Sequence, residues 1–172
     1  IAADNAVITA ATTVAASTYA TKVEANTIGE NANVIIFSIK DTANNLHTTN
    51  SAALNKAVNL IAETDALVAE ATTINNATNS GYYTYNIADS DGNIAAAGNA
   101  LLATAGTVEV SGTSTVANAS TIADFAKAVV YNISDSSGNA LGAAGAGYNE
   151  AVNIEITGNL TVAKADVIKE AS

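Results

Sequence analysis

The chain of 172 residues sets sixteen acids against six Lys, a formal net charge of −10, and contains no Arg, Cys, Met, Pro or Trp. Without Arg it lacks the bidentate fork that suits phosphate, which argues against nucleic acid and anionic membrane surfaces as partners; without Cys it has no disulfide, thiol nucleophile or thiolate metal site. Its 49% hydrophobic residues, with 39 Ala among them, allow a core but a thin one, and no apolar run approaches the roughly 18 residues that membrane insertion needs.

Three phrases recur in a fixed order. The first opens at Ile8-Thr-Ala-Ala-Thr-Thr-Val14 and returns at Val68, Val116 and Val162, at intervals of 60, 48 and 46 residues. Its Ala and Ile or Val stand at helical spacing after Thr or Ser, which suits a short helix with an N-cap. The longer first interval is filled by an insertion around Tyr19 to Glu30.

The second phrase is Ile35-Ile-Phe-Ser-Ile-Lys-Asp41, repeated at Tyr83 to Asp89 and Val129 to Asp135. Ile35, Phe37 and Ile39 alternate with mostly polar neighbours, as do Tyr83, Tyr85 and Ile87, and Val129, Tyr131 and Ile133. This is the period of a half-buried strand. Each strand is expected to end in a turn reaching Asn45, Asn93 or Asn139. Tyr82 then faces outward as a contact residue.

Small-residue stretches follow. Ser51 to Ala57 and Ala95 to Ala105 suit short helices, whereas Gly142, Gly145 and Gly147 favour a loop over Ala140 to Gly147. The third phrase, Asn59-Leu-Ile-Ala62, Thr107-Val-Glu-Val110 and Asn153-Ile-Glu-Ile156, reads as a second strand, ending at Gly112 or Gly158 in the later copies. One repeat domain over 1–172 results, with copies at about 7–62, 67–112 and 115–158 and a partial copy at 161–172. The fold class expected is mixed α/β and strand-rich, a solenoid-like stack of about three helix, strand, connection, strand repeats. The alternative is a single compact α+β domain.

Asp89-Ser90-Asp91-Gly92-Asn93 is the candidate metal site. Asp89, Asp91 and Asn93 place oxygen side chains at alternate positions, as the front of a calcium loop does, but Ala100 stands where an EF-hand needs its bidentate Glu. Asp41 with Asn45 and Asp135 with Asn139 repeat only the outer pair. The competing reading is structural, since Asp and Asn bond to nearby backbone in turns and Asn tolerates left-handed geometry. No other cofactor is expected.

His47 is the lone histidine and reads as a surface residue. No Gly-x-Ser-x-Gly or phosphate-binding glycine motif occurs, so no catalytic residue is assigned and the chain is read as a non-enzyme. Glu109 and Glu155 occupy equivalent positions and would repel if stacked, so they read as a solvated strand face. Asn-x-Ser/Thr triplets occur at Asn76, Asn118, Asn132 and Asn159.

The alternation of Val-Ala-x-Ala-Thr-Thr-Ile with Tyr-Asn-Ile-x-Asp and Asn-Ile-Glu-Ile-Thr-Gly resembles the tandem repeats of very large secreted or surface-displayed bacterial proteins, of adhesin, repeat-toxin-like or surface-layer-like kind. The glycine-rich nonapeptide of calcium-binding repeat toxins is absent, so calcium binding is not carried over. The resemblance implies an extracellular or bacterial cell-surface module without catalysis. The start at Ile1 suggests a processed or excised chain. Partial repeats at both ends would expose Ile8, Val14, Val162, Val167 and Ile168 for self-association. The expected function is end-to-end assembly with copies of itself into a filament or lattice; the alternative is an adhesin repeat module that spaces or attaches, contacting a cell-surface or extracellular matrix component.

Overall fold

Alternating apolar residues set the strands, and each strand pairing among the described residues is parallel. A computed structural model describes residues 14–31, 35–142 and 146–170. The architecture is mixed α/β, with parallel sheets and intervening helices, and among the described residues no barrel is closed. The chain divides into two compact units, Ile1–Asn86 and Ile87–Ser172.

In the first unit β1 (Val14–Ala15) pairs with β2 (Ile35–Ile36), and β3 (Ile39–Asp41), β4 (Leu60–Ala62) and β5 (Tyr83–Thr84) form a sheet in sequence order. Between them run α1 (Lys22–Gly29), α2 (Ala43–His47), α3 (Ser51–Lys56) and α4 (Val68–Asn75). Val14 aligns with Ile35 and Ile39 with Leu60, steps of 21 residues, and Leu60 aligns with Tyr83, a step of 23. A parallel return needs a dozen or more residues, so each step holds one strand and its helical crossover. Phe37, Ile39, Leu46, Leu60, Ile74 and Tyr85 fill the core.

In the second unit β6 (Ile87–Asp89), β7 (Val108–Ser114), β8 (Val130–Ser136) and β9 (Ile154–Thr157) again follow sequence order. The helices are α5 (Asp91–Ala97), α6 (Asn99–Leu102), α7 (Val116–Ala123), α8 (Ser137–Gly142), α9 (Ala146–Asn149) and α10 (Val162–Glu170). Ile87 aligns with Val108, Glu109 with Val130 and Ile133 with Ile154, each a step of 21. Val108, Ile122, Tyr131 and Ile133 are buried; full burial of such a side chain is worth about 1.5–3 kcal/mol.

Of the second-phrase residues expected to face inward, Phe37, Ile39, Tyr85, Ile87, Val129, Tyr131 and Ile133 are buried, while Ile35 and Tyr83 are half-buried. Tyr83 and Tyr85 stack with ring centroids 5.9 Å apart, and Tyr82 is 53% exposed. The first phrase is helical at α4, α7 and α10; its copy at Ile8 lies outside the described residues, except for Val14 in β1. The insertion at Tyr19 to Glu30 contains a helix of its own, α1. Glu24 at its third position accepts from Thr21 N at 2.9 Å and Thr21 Oγ1 at 3.0 Å, half of a capping box.

Three local expectations need correction. The Asp turns are first turns of helices: Thr42 and Ser90 are N-caps of α2 and α5, accepting from Asn45 N and Asn93 N. Asn45, Asn93 and Asn139 take no left-handed backbone, because positive φ among the described residues occurs only at Gly98, Gly112 and Gly158. β7 runs on through Gly112 to Ser114, absorbing the residue at φ 95° where the register with β8 shifts.

The glycine-rich stretch expected as loop is helical on both sides, in α8 and α9. Gly147 serves close packing: a Cβ there would stand 2.9 Å from the Ala119 carbonyl carbon and 2.9 Å from Ser120 N. Two phenols brace the stretch, Tyr148 Oη donating to Ala140 O at 2.7 Å and Tyr131 Oη to Gly147 O at 2.8 Å.

Candidate functional site

Three aspartates end three strands in one way. Asp41 Oδ1 accepts from Thr42 N and from Asn45 Nδ2, both at 2.8 Å. Asp89 Oδ1 accepts from Ser90 N at 2.7 Å and Asn93 Nδ2 at 2.9 Å. Asp135 Oδ1 accepts from Ser136 N at 2.7 Å and Asn139 Nδ2 at 2.8 Å. The second oxygen reaches back across the sheet: Asp41 Oδ2 accepts from Lys22 N at 2.8 Å and Asp135 Oδ2 from Val116 N at 3.0 Å. Lys22 and Val116 are the first residues of α1 and α7. A carboxylate is thereby set against the positive end of a neighbouring helix.

Asp91 does a different job. Its Oδ2 accepts from Asn118 Nδ2 at 2.7 Å, Thr115 N at 3.0 Å and Thr115 Oγ1 at 3.4 Å, and its Oδ1 from Gly92 N at 2.8 Å. The candidate triad is therefore divided: Asp89 and Asn93 bond to each other, while Asp91 is committed to the start of α7. Among the described residues no three His, Cys, Asp or Glu gather as a metal-holding group.

Burial alone would raise the Asp91 pKa, but donors from Asn118, Thr115 and Gly92 outweigh it and hold the carboxyl below its ordinary value. At Asp41 burial is likewise outweighed, by Lys22 N, Asn45 and Thr42 N. Asp135 is lowered chiefly by Val116 N, then by the Asn139 amide, against burial.

The other candidates are spread apart. His47 is exposed at the end of α2, its Nδ1 2.7 Å from Thr73 Oγ1. Glu109 and Glu155 lie on β7 and β9 with β8 between them, and Glu155 Oε2 accepts from Ser134 Oγ at 3.1 Å. A groove of about 340 Å³ lined by Ala16, Ser17, Thr18, Tyr19, Ile36, Phe37, Ser38 and Val58 contains no acid, His or Lys.

The proposed self-association residues can be compared with their repeat equivalents. In α7, Val116, Ala119 and Ile122 are 3%, 0% and 1% exposed. In α10 the matching Val162 is 80% exposed, Ala165 is exposed and Ile168 is half-buried. Val152, just before β9, is 63% exposed. Val14 is half-buried in β1; Ile8 and the Val167 side chain lie outside what is described.

Asn59 and Asn153, which open two copies of the third phrase, carry a function that the sequence reading did not assign. Asn59 Nδ2 donates to Ser38 Oγ at 3.3 Å, and its Oδ1 accepts from Tyr82 N at 3.1 Å, so one amide spans three neighbouring segments. Asn153 Nδ2 donates to Asn132 Oδ1 at 3.0 Å in the same manner. The equal placement of these two Asn was the available signal.

No protein-family model matches the chain, and neither does any curated protein or solved structure. Among the described residues no helix is long and apolar enough to cross a membrane.

Proposed function

We propose that the chain is a non-catalytic extracellular structural module whose strand and helix segments stack linearly, and that it works by taking further segments of the same kind onto the face formed by β9 and α10. Assembly with copies of itself into a filament or lattice is the leading form of this reading. The observation that carries it is the contrast between Val162, 80% exposed, and Val116, 3% exposed at the equivalent helical position. Inside the unit that position is buried; at α10 no described residue covers it. Exposed apolar patches of this sort favour association.

A register step close to 21 residues supports the same reading, because a segment that repeats at about that interval presents one surface ahead and its complement behind. The acidic balance, a net charge of −10, suits a soluble surface-displayed protein. Light scattering against concentration, with electron microscopy of the same samples, tests it. Long particles that shorten in Val162→Asp are expected; a monomer at every concentration would refute self-assembly.

A further inference from the structure

The fold treats the Asn-x-Ser/Thr triplets at Asn76, Asn118, Asn132 and Asn159 differently. Such a triplet accepts N-linked sugar where the Asn amide and the hydroxyl two residues on can be reached together, as in a surface loop.

Two of them are closed. Asn118 is the third residue of α7 and half-buried, with its Nδ2 donating to Asp91 Oδ2 at 2.7 Å. Ser120 Oγ donates to Val116 O at 3.1 Å, and residues two apart on a helix do not share a face. Asn132 lies inside β8, which is paired on both sides, by β7 and β9. Its Oδ1 accepts from Asn153 Nδ2 at 3.0 Å, and Ser134 Oγ donates to Glu155 Oε2 at 3.1 Å.

Asn76 is open. It is the C-cap of α4, at φ −84° and ψ −4°, and the chain then runs without helix or strand until β5. Asn76 and Thr78 are both exposed, and neither side chain has a partner among the described residues. The backbone beneath them is held: Asn76 N donates to Thr72 O at 3.0 Å and Thr78 N to Asn55 Oδ1 at 2.9 Å. The same place is exposed elsewhere in the fold. Glu30 and Asp124, the C-caps of the eight-residue helices α1 and α7, are exposed although further strands follow each helix. The accessibility of Asn76 therefore belongs to the helix exit and not to either end of the chain.

We propose that Asn76 is an acceptor for N-linked sugar, with the Thr78 hydroxyl as the group that a transferase reads beside it. The donor is a sugar joined through its anomeric carbon to a diphosphate. Asn76 Nδ2 forms the new bond to that carbon, the bond from the carbon to the diphosphate oxygen breaks, its electron pair leaves with the diphosphate, and the amide nitrogen gives up one proton. This role rests on the extracellular reading above, since such triplets are modified in secreted proteins. Asn159 is exposed too, but it belongs to the last segment, whose outer side no described residue faces, and it stays outside the assignment.

The folded chain carrying Asn159→Gln is incubated with a soluble N-glycosyltransferase and UDP-glucose, and the hexose is located by mass spectrometry. Peptides of residues 70–82, 112–124 and 126–138 are treated alongside, free of the fold. In the folded chain Asn76 should react about tenfold or more faster than Asn118 and Asn132, which react only after local opening, whereas the three peptides should differ far less. Thr78→Ala should abolish the hexose at Asn76 and leave the melting temperature unchanged. No hexose at Asn76 of the folded chain, equal reaction at Asn118 or Asn132, the same preference among the peptides, or a hexose that survives Thr78→Ala overturns the assignment. The reaction requires neither export nor assembly. A chain modified at Asn76 that stays monomeric at every concentration ends self-assembly but not the acceptor site; long particles from a chain that takes no hexose at Asn76 end the acceptor site alone.

Discussion

Replacing Asp135 with Ala removes the acceptor of three hydrogen bonds, from Ser136 N at 2.7 Å, Asn139 Nδ2 at 2.8 Å and Val116 N at 3.0 Å. Two helix starts lose a partner, those of α7 and α8. A capping acceptor contributes about 0.5–2 kcal/mol, so the variant should lose about 1–3 kcal/mol at neutral pH. For a chain of this size that is a fall in melting temperature of about 2–12 °C, read by circular dichroism. The loss should depend on pH. Val116 N and the Asn139 amide hold Asp135 below the ordinary carboxylate value, so the folded chain stays charged where the unfolded chain takes up a proton. Its contribution is present above about pH 4 and fades as pH falls through the folded-state pKa. Wild type and Asp135→Ala should therefore converge in strongly acid solution. An equal gap at neutral and acid pH, or no gap at neutral pH, would refute the assignment of a charged latch.

Glycine substitutions should divide by position. Gly92→Ala, in α5 with its nearest neighbour 4.0 Å from the new Cβ, should stabilise by about 0.5–1 kcal/mol, whereas Gly147→Ala, blocked by the α7 backbone at 2.9 Å, should destabilise by about 1–3 kcal/mol; urea titration of both variants decides. Burial, with the Glu150 charge, pushes the Tyr131 phenol up to about 12, so its contribution is complete below about pH 10 and lost as pH rises through 12. Tyr131→Phe should cost about 1 kcal/mol at neutral pH through its bond to Gly147 O, and that cost should shrink above pH 10; a cost that does not vary over that range refutes the shifted phenol. Because the oxygens of Asp91 are engaged by Asn118, Thr115 and Gly92, the melting temperature should be the same in chelator and in millimolar calcium. A rise of several degrees with calcium would restore the metal reading.

The strands were legible because Phe37, Ile39, Tyr131 and Ile133 alternate with polar neighbours, a pattern that survives without knowledge of what packs on it. The helices at Val68, Val116 and Val162 were legible for a similar reason, and Thr115 caps α7 as its residue type suggests. The helices after Asp41, Asp89 and Asp135 were missed because Asx residues and glycine signal turns locally, while here the same side chains cap a helix and tie it to an earlier one. Gly147 misled because a residue chosen for close packing against Ala119 looks, in sequence, like one chosen for flexibility. The Asp91 to Asn118 bond spans 27 residues, beyond what a local motif conveys. The division of the metal candidate followed from that bond.

The near-constant register step, 19 to 23 residues, bears on how the chain folds. Ile87 meets Val108, Glu109 meets Val130 and Ile133 meets Ile154, each 21 residues on. Parallel sheets ordinarily fold slowly because distant segments must find one another, yet here every ladder closes a loop of nearly the same short length, and the entropy of closure grows only with the logarithm of that length. Each sheet can therefore form by zipping, one strand templating the next, with no single long-range event to wait for. A temporal intermediate would be a shorter sheet whose last strand has an open edge.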